Sequence, residues 1–402
     1  MMKRIILLVL FLLLSCDRGV SVVVHEDENP GVFLDKVVLG SSLALKGHAS
    51  YLGTQTLHGA LAYINMVNED AGVHGRKLEL VTYDDSYDPP KCLINTQRLI
   101  IEDKVFALFG YVGTPTTVKV LPLVDAARIP LLGMFTGANA LRKPFNRYVI
   151  SVRPSYYKET KEAVRHMVQD LGLTKIAVFY QYDAFGFDGL TGTELALKDL
   201  GLEPVARGSY TRGSLDVAEG VARIKDSGAQ AVFMIGTTVP CIKFIQEMNR
   251  AGVKPVYYTV SFIGAREFAK HLGKKSNDTV IMSQVVPPFT FSGDLKHSEA
   301  NEYIQMLKSS YPDDNPSLVG LEGFFNARVL VEGLRRAGPD LTREKFVDAI
   351  ESMGDYDLAP GVTISFDGKD HQGMDKVYFT RFNDGRFEVL VDWERLRRSI
   401  ER

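Results

Sequence analysis

The chain is poor in the groups that most chemistries need. Three cysteines in 402 residues cannot build a disulfide framework. The eight histidines are scattered, with no H-E-x-x-H and no cysteine pair at metal-ligand spacing. The G-x-S-x-G turn that presents a serine nucleophile is absent, and so is the G-x-x-x-x-G-K-[ST] phosphate loop. A dinucleotide fingerprint should follow the first strand, but the segment from Gly40 to Gly47 reads GSSLALKG and does not fit. A formal net charge of −2, without long like-charge runs, gives no basic footprint for nucleic acid. These absences argue against a metal site, a cofactor and a nucleic-acid partner, and leave an enzyme as the least favoured class. Fold alone does not exclude an enzyme.

No apolar run reaches the ~20 residues that cross a bilayer. The opening run, Ile5 to Leu14, follows Lys3 and Arg4 and leads into Leu13-Leu14-Ser15-Cys16. A basic start, a short apolar stretch and a small residue before the cut make an export signal. A Cys directly after the small residue is the pattern of a bacterial lipoprotein signal, with cleavage before Cys16 and lipid on its sulfur and new amino end. The competing reading is an ordinary signal peptide in which Cys16 is incidental. Removing Lys3 and Arg4 leaves 45 basic against 49 acidic residues, since the whole chain carries 47 and 49. Cys92 and Cys241 could pair in an oxidising compartment. However, Cys241 shares helical spacing with Phe244, Ile245 and Met248, which predicts a buried helix face. Two inert buried thiols are the preferred expectation.

Residues 17–34 are polar and irregular and read as a linker. From Val37 an alternation begins: strand 37–43, helix 54–68, strand 78–83, helix 90–102, strand 105–110, helix 116–127, strand 129–135. After Arg153 and Pro154 it repeats: helices 158–171, 187–200, 216–227, 239–250 and 264–272 lead to strands 175–180, 204–210, 231–236, 256–261 and 280–286. Apolar strands alternating with helices give parallel sheets covered on both faces. Two such series predict an α/β protein of two doubly wound parallel-sheet lobes. The length also suits two domains. The tail differs, with helices 298–310, 318–337 and 342–352. Asn383-Asp384-Gly385 then forms a hairpin turn between strands 377–382 and 386–391.

Two places could carry chemistry. Asp84 and Asp85 end a strand just before Pro89 and Pro90, where turn and capping roles are favoured over acid/base work. Residues 110–117, GYVGTPTT, follow a strand and open a helix. Free N–H groups at a helix start, with threonine hydroxyls beside them, suit a carboxylate or other anion. Ligands of open α/β sheets bind at the carboxyl ends of strands, and residues 135–138 end the next strand in the same layer. The alternative is helix capping by threonine alone.

The order and spacing of several pieces then resemble one family. These are Gly59-Ala60 with Ile64-Asn65, residues 72–78 (GVHGRKL), Tyr83 to Asp85 with Asp88-Pro89, residues 110–117, residues 179–186 (FYQYDAFG) and Arg250 to Gly252. The chain resembles the leucine/isoleucine/valine-binding family of type I periplasmic binding proteins, the solute receptors of branched-chain amino-acid ABC transporters, over about residues 36 to 392. The resemblance implies two lobes joined by a three-crossing hinge, with the ligand between them. Lobe 1 would be 34–152 plus 288–366 and lobe 2 would be 153–287 plus 367–402, after a signal at 1–16 and a linker at 17–34. It further implies ligand contacts from Thr114, which aligns with the hydroxyl residue that holds a carboxylate. Phe135, Thr136 and Gly137 come from the next strand's end, and Phe185 is the covering aromatic from lobe 2. Thr237, Ser261 and Tyr51 complete the implied set.

One departure matters. The family's amino-acid receptors carry a Glu after a late strand of lobe 2, which pairs with the ligand's α-ammonium. Residues 257–262, YYTVSF, contain no acid. A buried ammonium without a partner is costly. Either Asp183 or Glu322 substitutes, or the ligand is not an α-amino acid, with aromatic carboxylates, amides, urea-like solutes and short peptides open. Lys46 or His48 could reach the cleft mouth, though solvated surface is favoured. The expected protein is an exported solute-binding lipoprotein of an ABC importer, partnered by permease subunits and a membrane through its lipid. A periplasmic ligand sensor of the same fold is the alternative. Asp17 resembles a signal for inner-membrane retention.

Overall fold

The computed structural model describes residues 29–289 and 300–401. The expected signal with Cys16, and most of the expected linker, lie outside the described residues. Residues 31–34 are tied to the first strand: Val32 bridges Val37, and the Val38 N–H donates to the Gly31 carbonyl at 2.8 Å.

The first series runs β1 (Lys36–Leu43), α1 (Ser50–Glu69), β2 (Lys77–Asp84), α2 (Pro89–Ile101), β3 (Ala107–Phe109), α3 (Thr114–Ala127), β4 (Leu131–Leu132) and β5 (Val149–Ile150). Its strands make one parallel sheet in the order β2-β1-β3-β4-β5. The second series runs α4 (Tyr156–Arg165), β6 (Ile176–Gln181), α5 (Ala184–Lys198), β7 (Ala206–Tyr210), α6 (Ala218–Ile224), β8 (Ala231–Ile235), α7 (Thr238–Arg250), β9 (Val256–Thr259), α8 (Ala265–Leu272) and β10 (Val280–Gln284). The helix in each crossover carries the chain back to start a parallel neighbour. Inner strands such as β8 and β10 are buried at every residue, which is why they read as unbroken apolar runs.

The remainder is α9 (Ala300–Ser310), α10 (Leu318–Ala337), α11 (Arg343–Glu351), β11 (Tyr356–Ala359), β12 (Val362–Ile364), β13 (Tyr378–Asn383), β14 (Arg386–Val389) and α12 (Trp393–Ile400). The expected hairpin adds to β10 antiparallel, completing a second sheet in the order β14-β13-β10-β9-β8-β6-β7. Its turn places Asp384 and Gly385 at φ 45° and 81°, as a two-residue hairpin requires. Helix α10 returns to pack on α1 of the first lobe. Glycines permit the approach: a Cβ on Gly59 would lie 1.9 Å from the Gly320 carbonyl oxygen, and one on Gly323 would lie 2.2 Å from that of Thr56.

The fold is thus two doubly wound lobes between which the chain passes three times: after β5, after β10 and after β12. The first and third passages are hydrogen-bonded to each other. The Ser151 N–H donates to the His371 carbonyl at 2.9 Å, and Met374 N–H to Val152 at 2.7 Å. Cys92 and Cys241 are both buried free thiols, one on α2 and one on α7. Among the described residues no helix is long and apolar enough to cross a membrane.

Three details differ from the sequence expectations. The helix expected at 158–171 begins at Tyr156 and finishes as a π-turn, His166–Asp170. The strand expected at 129–135 is regular only at Leu131–Leu132, because Gly133 at φ 70° turns the chain. Helix α12 was not expected from its sequence, WERLRRSI, which buries only Leu396. It is held by Trp393, stacked on the His166 ring with centroids 4.0 Å apart.

Candidate functional site

The carboxyl ends of both sheets face one cleft. On the first lobe, β3 ends at Phe109, and the chain turns through Gly110 and Gly113, the latter at φ 96°, into α3. Gly113 has a second reason to lack a side chain, since its Cβ would lie 2.1 Å from the Cε2 atom of Tyr87. Thr116 and Thr117 spend their hydroxyls on backbone carbonyls of Val112 and Gly113, at 2.6 and 2.7 Å. Thr114 does not cap the backbone; its hydroxyl shares a 2.6 Å hydrogen bond with that of Thr136. Phe135 is fixed beside this pair by a bridge to Val112 and by its N–H, which donates to Tyr111 at 2.7 Å. The Gly137 carbonyl accepts the Tyr156 N–H at 2.7 Å, and Tyr156 fills the space where a Gly137 side chain would stand.

On the second lobe, Asp183 caps α5 by accepting from the N–H groups of Phe185 and Gly186 at 3.0 and 3.3 Å. The cap directs Phe185 inward, with its ring 5.3 Å from Tyr156 and 4.7 Å from Phe262. Phe262, from the 3₁₀ turn after β9, reaches across to Phe135 at 5.7 Å and Tyr87 at 6.1 Å. Tyr87 and Phe135 come from the first lobe. Tyr156, Phe185 and Phe262 come from the second. One apolar cluster therefore runs unbroken through the cleft. Two polar contacts close it at the rim. Arg212 Nη1 donates to the Tyr87 carbonyl at 3.0 Å, and the Asn139 N–H donates to Asp188 at 2.9 Å.

Beneath the rings lies a buried ionic cluster. Arg153, 1% exposed, sits on the first passage between lobes, with its guanidinium 5.1 Å from the Phe135 ring and 5.6 Å from the Tyr156 ring. It donates to Glu322 of α10 at 3.2 Å, to Glu159 of α4 at 3.0 Å and to the Ser261 hydroxyl. Glu159 also accepts the Ser261 N–H at 2.9 Å, the Ser261 hydroxyl at 3.1 Å and the Ser283 hydroxyl at 2.5 Å. Burial pushes the Glu322 carboxyl up to about 7; Arg153 opposes that rise and Glu159 adds to it. Two further hydroxyls at the cleft, on Tyr87 and Tyr156, are buried without a hydrogen-bond partner among the described residues.

Of the residues expected at a ligand, Thr114, Phe135, Thr136, Gly137 and Phe185 gather around these rings, and Ser261 joins the ionic cluster below. Thr237 lies farther along. Its N–H donates to the Tyr210 hydroxyl at 2.9 Å, which donates to Gln181 at 2.9 Å. Tyr51 stands at the other edge, its ring 3.0 Å from where a Gly264 Cβ would be. Neither acid considered as a substitute for the missing Glu is free. Asp183 accepts Gln181 Nε2 at 2.6 Å besides its cap, and Glu322 holds Arg153. Lys46 and His48 are both exposed, and His48 packs T-shaped on the Tyr87 ring, centroids 5.5 Å apart.

Tyr87, Tyr156, Phe262 and Arg153 were missed in the sequence. Tyr87 follows the Asp84-Asp85 pair, whose work is turn chemistry. Asp84 accepts the N–H groups of Leu45, Lys46 and Ser86, and Asp85 accepts those of Tyr87, at 2.8 Å, and the Ser42 hydroxyl. That turn bends Ser86 and Tyr87 to φ 52° and 62° and throws the ring into the cleft. The bend itself is the only sequence-level signal for Tyr87. Among the described residues there is no His/Cys/Asp/Glu group fit to hold a metal.

A family model described as periplasmic binding protein matches residues 36–386. Among solved structures, a possible leucine/isoleucine/valine-binding protein from Rhodopirellula baltica SH 1 is 32% identical, with a TM-score of 0.84, covering 90% of this chain and 98% of that one. A fatty acid ABC transporter substrate-binding protein from Thermomonospora curvata shares the fold at 20% identity and a TM-score of 0.80, covering 92% and 96%. The Leu/Ile/Val-binding protein homolog 7 of Brucella abortus (strain 2308) is 22% identical over 365 residues, 88% of this chain and 91% of that protein.

Proposed function

Because the chain belongs to the periplasmic binding protein family, we propose that it is the solute-binding component of an ABC importer. Family and fold are those of extracytoplasmic solute-binding proteins rather than enzymes. The proposed lobes are 34–152 with 288–366 and 153–287 with 367–402. In support, the first sheet draws every strand from residues 36–150, the second draws its strands from 176–389, and α10 packs on α1. The solute is a small amino-acid-like molecule or a carboxylate or amide, held in the cleft by hinge closure. The proposed contacts are Thr114, Phe135, Thr136, Gly137 and Phe185, with Tyr51, Thr237 and Ser261 bordering them.

One observation carries this reading: buried hydroxyls without partners lie inside an aromatic cluster that both lobes build. Each lobe alone would leave its rings in water, so a solute that contacts both favours the closed form. The closed form then docks to permease subunits. Cys16 anchors the chain to a membrane by lipid, a reading supported by the sequence from Lys3 to Cys16. Changing Cys16→Ser is expected to release mature protein into the soluble fraction or leave the signal uncleaved. Mature protein that stays with the membrane ends the lipid-anchor reading.

The cleft reading is tested by thermal shift on protein denatured and refolded to strip carried-over solute. A solute at ~100 times its dissociation constant adds ~2.7 kcal/mol of stability. Such a shift, lost on changing Thr114→Ala, supports the cleft. A shift that ignores the change removes it.

A further inference from the structure

We propose that the cleft carries a second polar subsite, built by the Tyr87 hydroxyl of lobe 1 and the Gln181 amide of lobe 2, and that it receives an uncharged hydroxyl or carboxamide on the solute's side chain. The proposal rests on the cleft reading and deepens it.

The subsite follows from what each group there has left to give. The Tyr87 hydroxyl is buried and has no hydrogen-bond partner among the described residues. Its ring is held in the cleft by the turn at Asp85, which accepts the Tyr87 N–H at 2.8 Å, and by Phe262 at 6.1 Å. The polar groups that bear on this hydroxyl from lobe 2 include Asp183, Tyr210 and Gln181. Gln181 ends β6 and is fully buried. Its Oε1 accepts the Tyr210 hydroxyl at 2.9 Å, and its Nε2 donates to Asp183 at 2.6 Å. A carboxamide has two N–H donors and two lone pairs on its oxygen, so Gln181 keeps one of each. Tyr210 is fixed in turn, its ring stacked on Phe179 with centroids 5.3 Å apart and its hydroxyl accepting the Thr237 N–H at 2.9 Å. A solute hydroxyl or carboxamide both donates and accepts, so one such group can serve Tyr87 and Gln181 together.

A charged group does not fit this subsite. Asp183 already accepts the N–H groups of Phe185 and Gly186 and the Gln181 amide, and Arg212 stands 3.7 Å from it as countercharge. An ion buried beside that balanced pair would lack a partner, which is costly. A bare hydrocarbon fits no better. It leaves the Tyr87 hydroxyl and the Gln181 amide unmet, and sites built to hydrogen-bond a substrate reject the analogue that lacks the polar group.

The test is calorimetric titration of the stripped full chain with matched pairs of solutes: tyrosine with phenylalanine, 3-(4-hydroxyphenyl)propanoate with 3-phenylpropanoate, and glutamine with its isostere homoleucine. In at least one pair the polar member is expected to bind at least tenfold tighter. Tyr87→Phe removes a hydroxyl that bonds to no described protein group, so its melting temperature should not fall. It is expected to cut the preference to under threefold while leaving the apolar member's affinity unchanged. An apolar member that binds as tightly as its polar partner in every pair overturns the proposal. So does a preference that survives Tyr87→Phe, and so does silence from all six solutes. In the first two cases the cleft reading stands, provided the lobes close on the solute by small-angle scattering. A solute that binds with no closure overturns both.

Discussion

Thr114 and Thr136, both buried, hold each other at 2.6 Å, and neither spends its hydroxyl on capping a helix. Changing Thr114→Ala is therefore expected to weaken an anionic solute by ~1.5–3 kcal/mol, the range for a hydrogen bond to a charged group, measured by titration. Unchanged affinity would move the anion site elsewhere. Glu322 supplies a pH test. Its folded carboxyl is raised to about 7 from an ordinary 4.5. Between those values the unfolded chain has released a proton that the folded chain keeps, so stability falls as pH rises through that window and levels above it. Changing Glu322→Gln removes the dependence. In urea unfolding the variant is expected to gain on wild type as pH rises from 4.5 to 7, by on the order of a few kcal/mol. Asp85 and Asp188, both raised to about 6, titrate in the variant and wild type alike and cancel in the difference. A constant difference across the window would place Glu322 outside a desolvated pair.

At the scale of elements, what was legible depended on how local the cause was. The expected helix 318–337 is the helix observed, because its caps and its apolar face are both in the sequence: the Ser317 hydroxyl accepts the Gly320 N–H at 3.0 Å and Gly338 ends it at φ 80°. The hairpin at Asp384 and Gly385 was equally readable. Helix α12 was missed although Asp392 caps it by accepting the Arg395 N–H at 2.8 Å, because it buries only Leu396 and leans on a distant segment through Trp393, stacked on His166. The Gly110 to Thr117 turn was legible as a strand-to-helix turn but not for all its reasons, since Tyr87 lies over Gly113 only in three dimensions. That close fit is testable. In Gly113→Ala the new Cβ meets the Tyr87 ring at 2.1 Å and inherits a φ of 96°. Solute affinity is expected to fall at least tenfold, with a stability loss of about 1–3 kcal/mol. Binding that survives intact would mean Tyr87 is not held against the solute.

Across the whole molecule, the lobes, their order and the broad class of the protein were visible in the alternation of strands and helices and in the spacing of the family's pieces. The ionic cluster was not, because it joins Arg153 and Glu159 to Glu322, which is far from both in the chain, and no local pattern marks it. Two polar contacts join the lobes at the rim. Changing Arg212→Ala, which removes the donor to the Tyr87 carbonyl, is expected to weaken a bound solute by about 1 kcal/mol through a smaller closed population. The most direct measurement is the distance between the lobes. Cys92 and Cys241 are buried, so in protein that starts after Cys16, spin labels at Lys119→Cys on α3 and Lys198→Cys on α5, both exposed, would report alone. The stripped protein is expected to show a longer distance population that collapses to a shorter one when a tight-binding solute is added. A distribution that stays the same while the solute binds would contradict capture by closure of the two lobes.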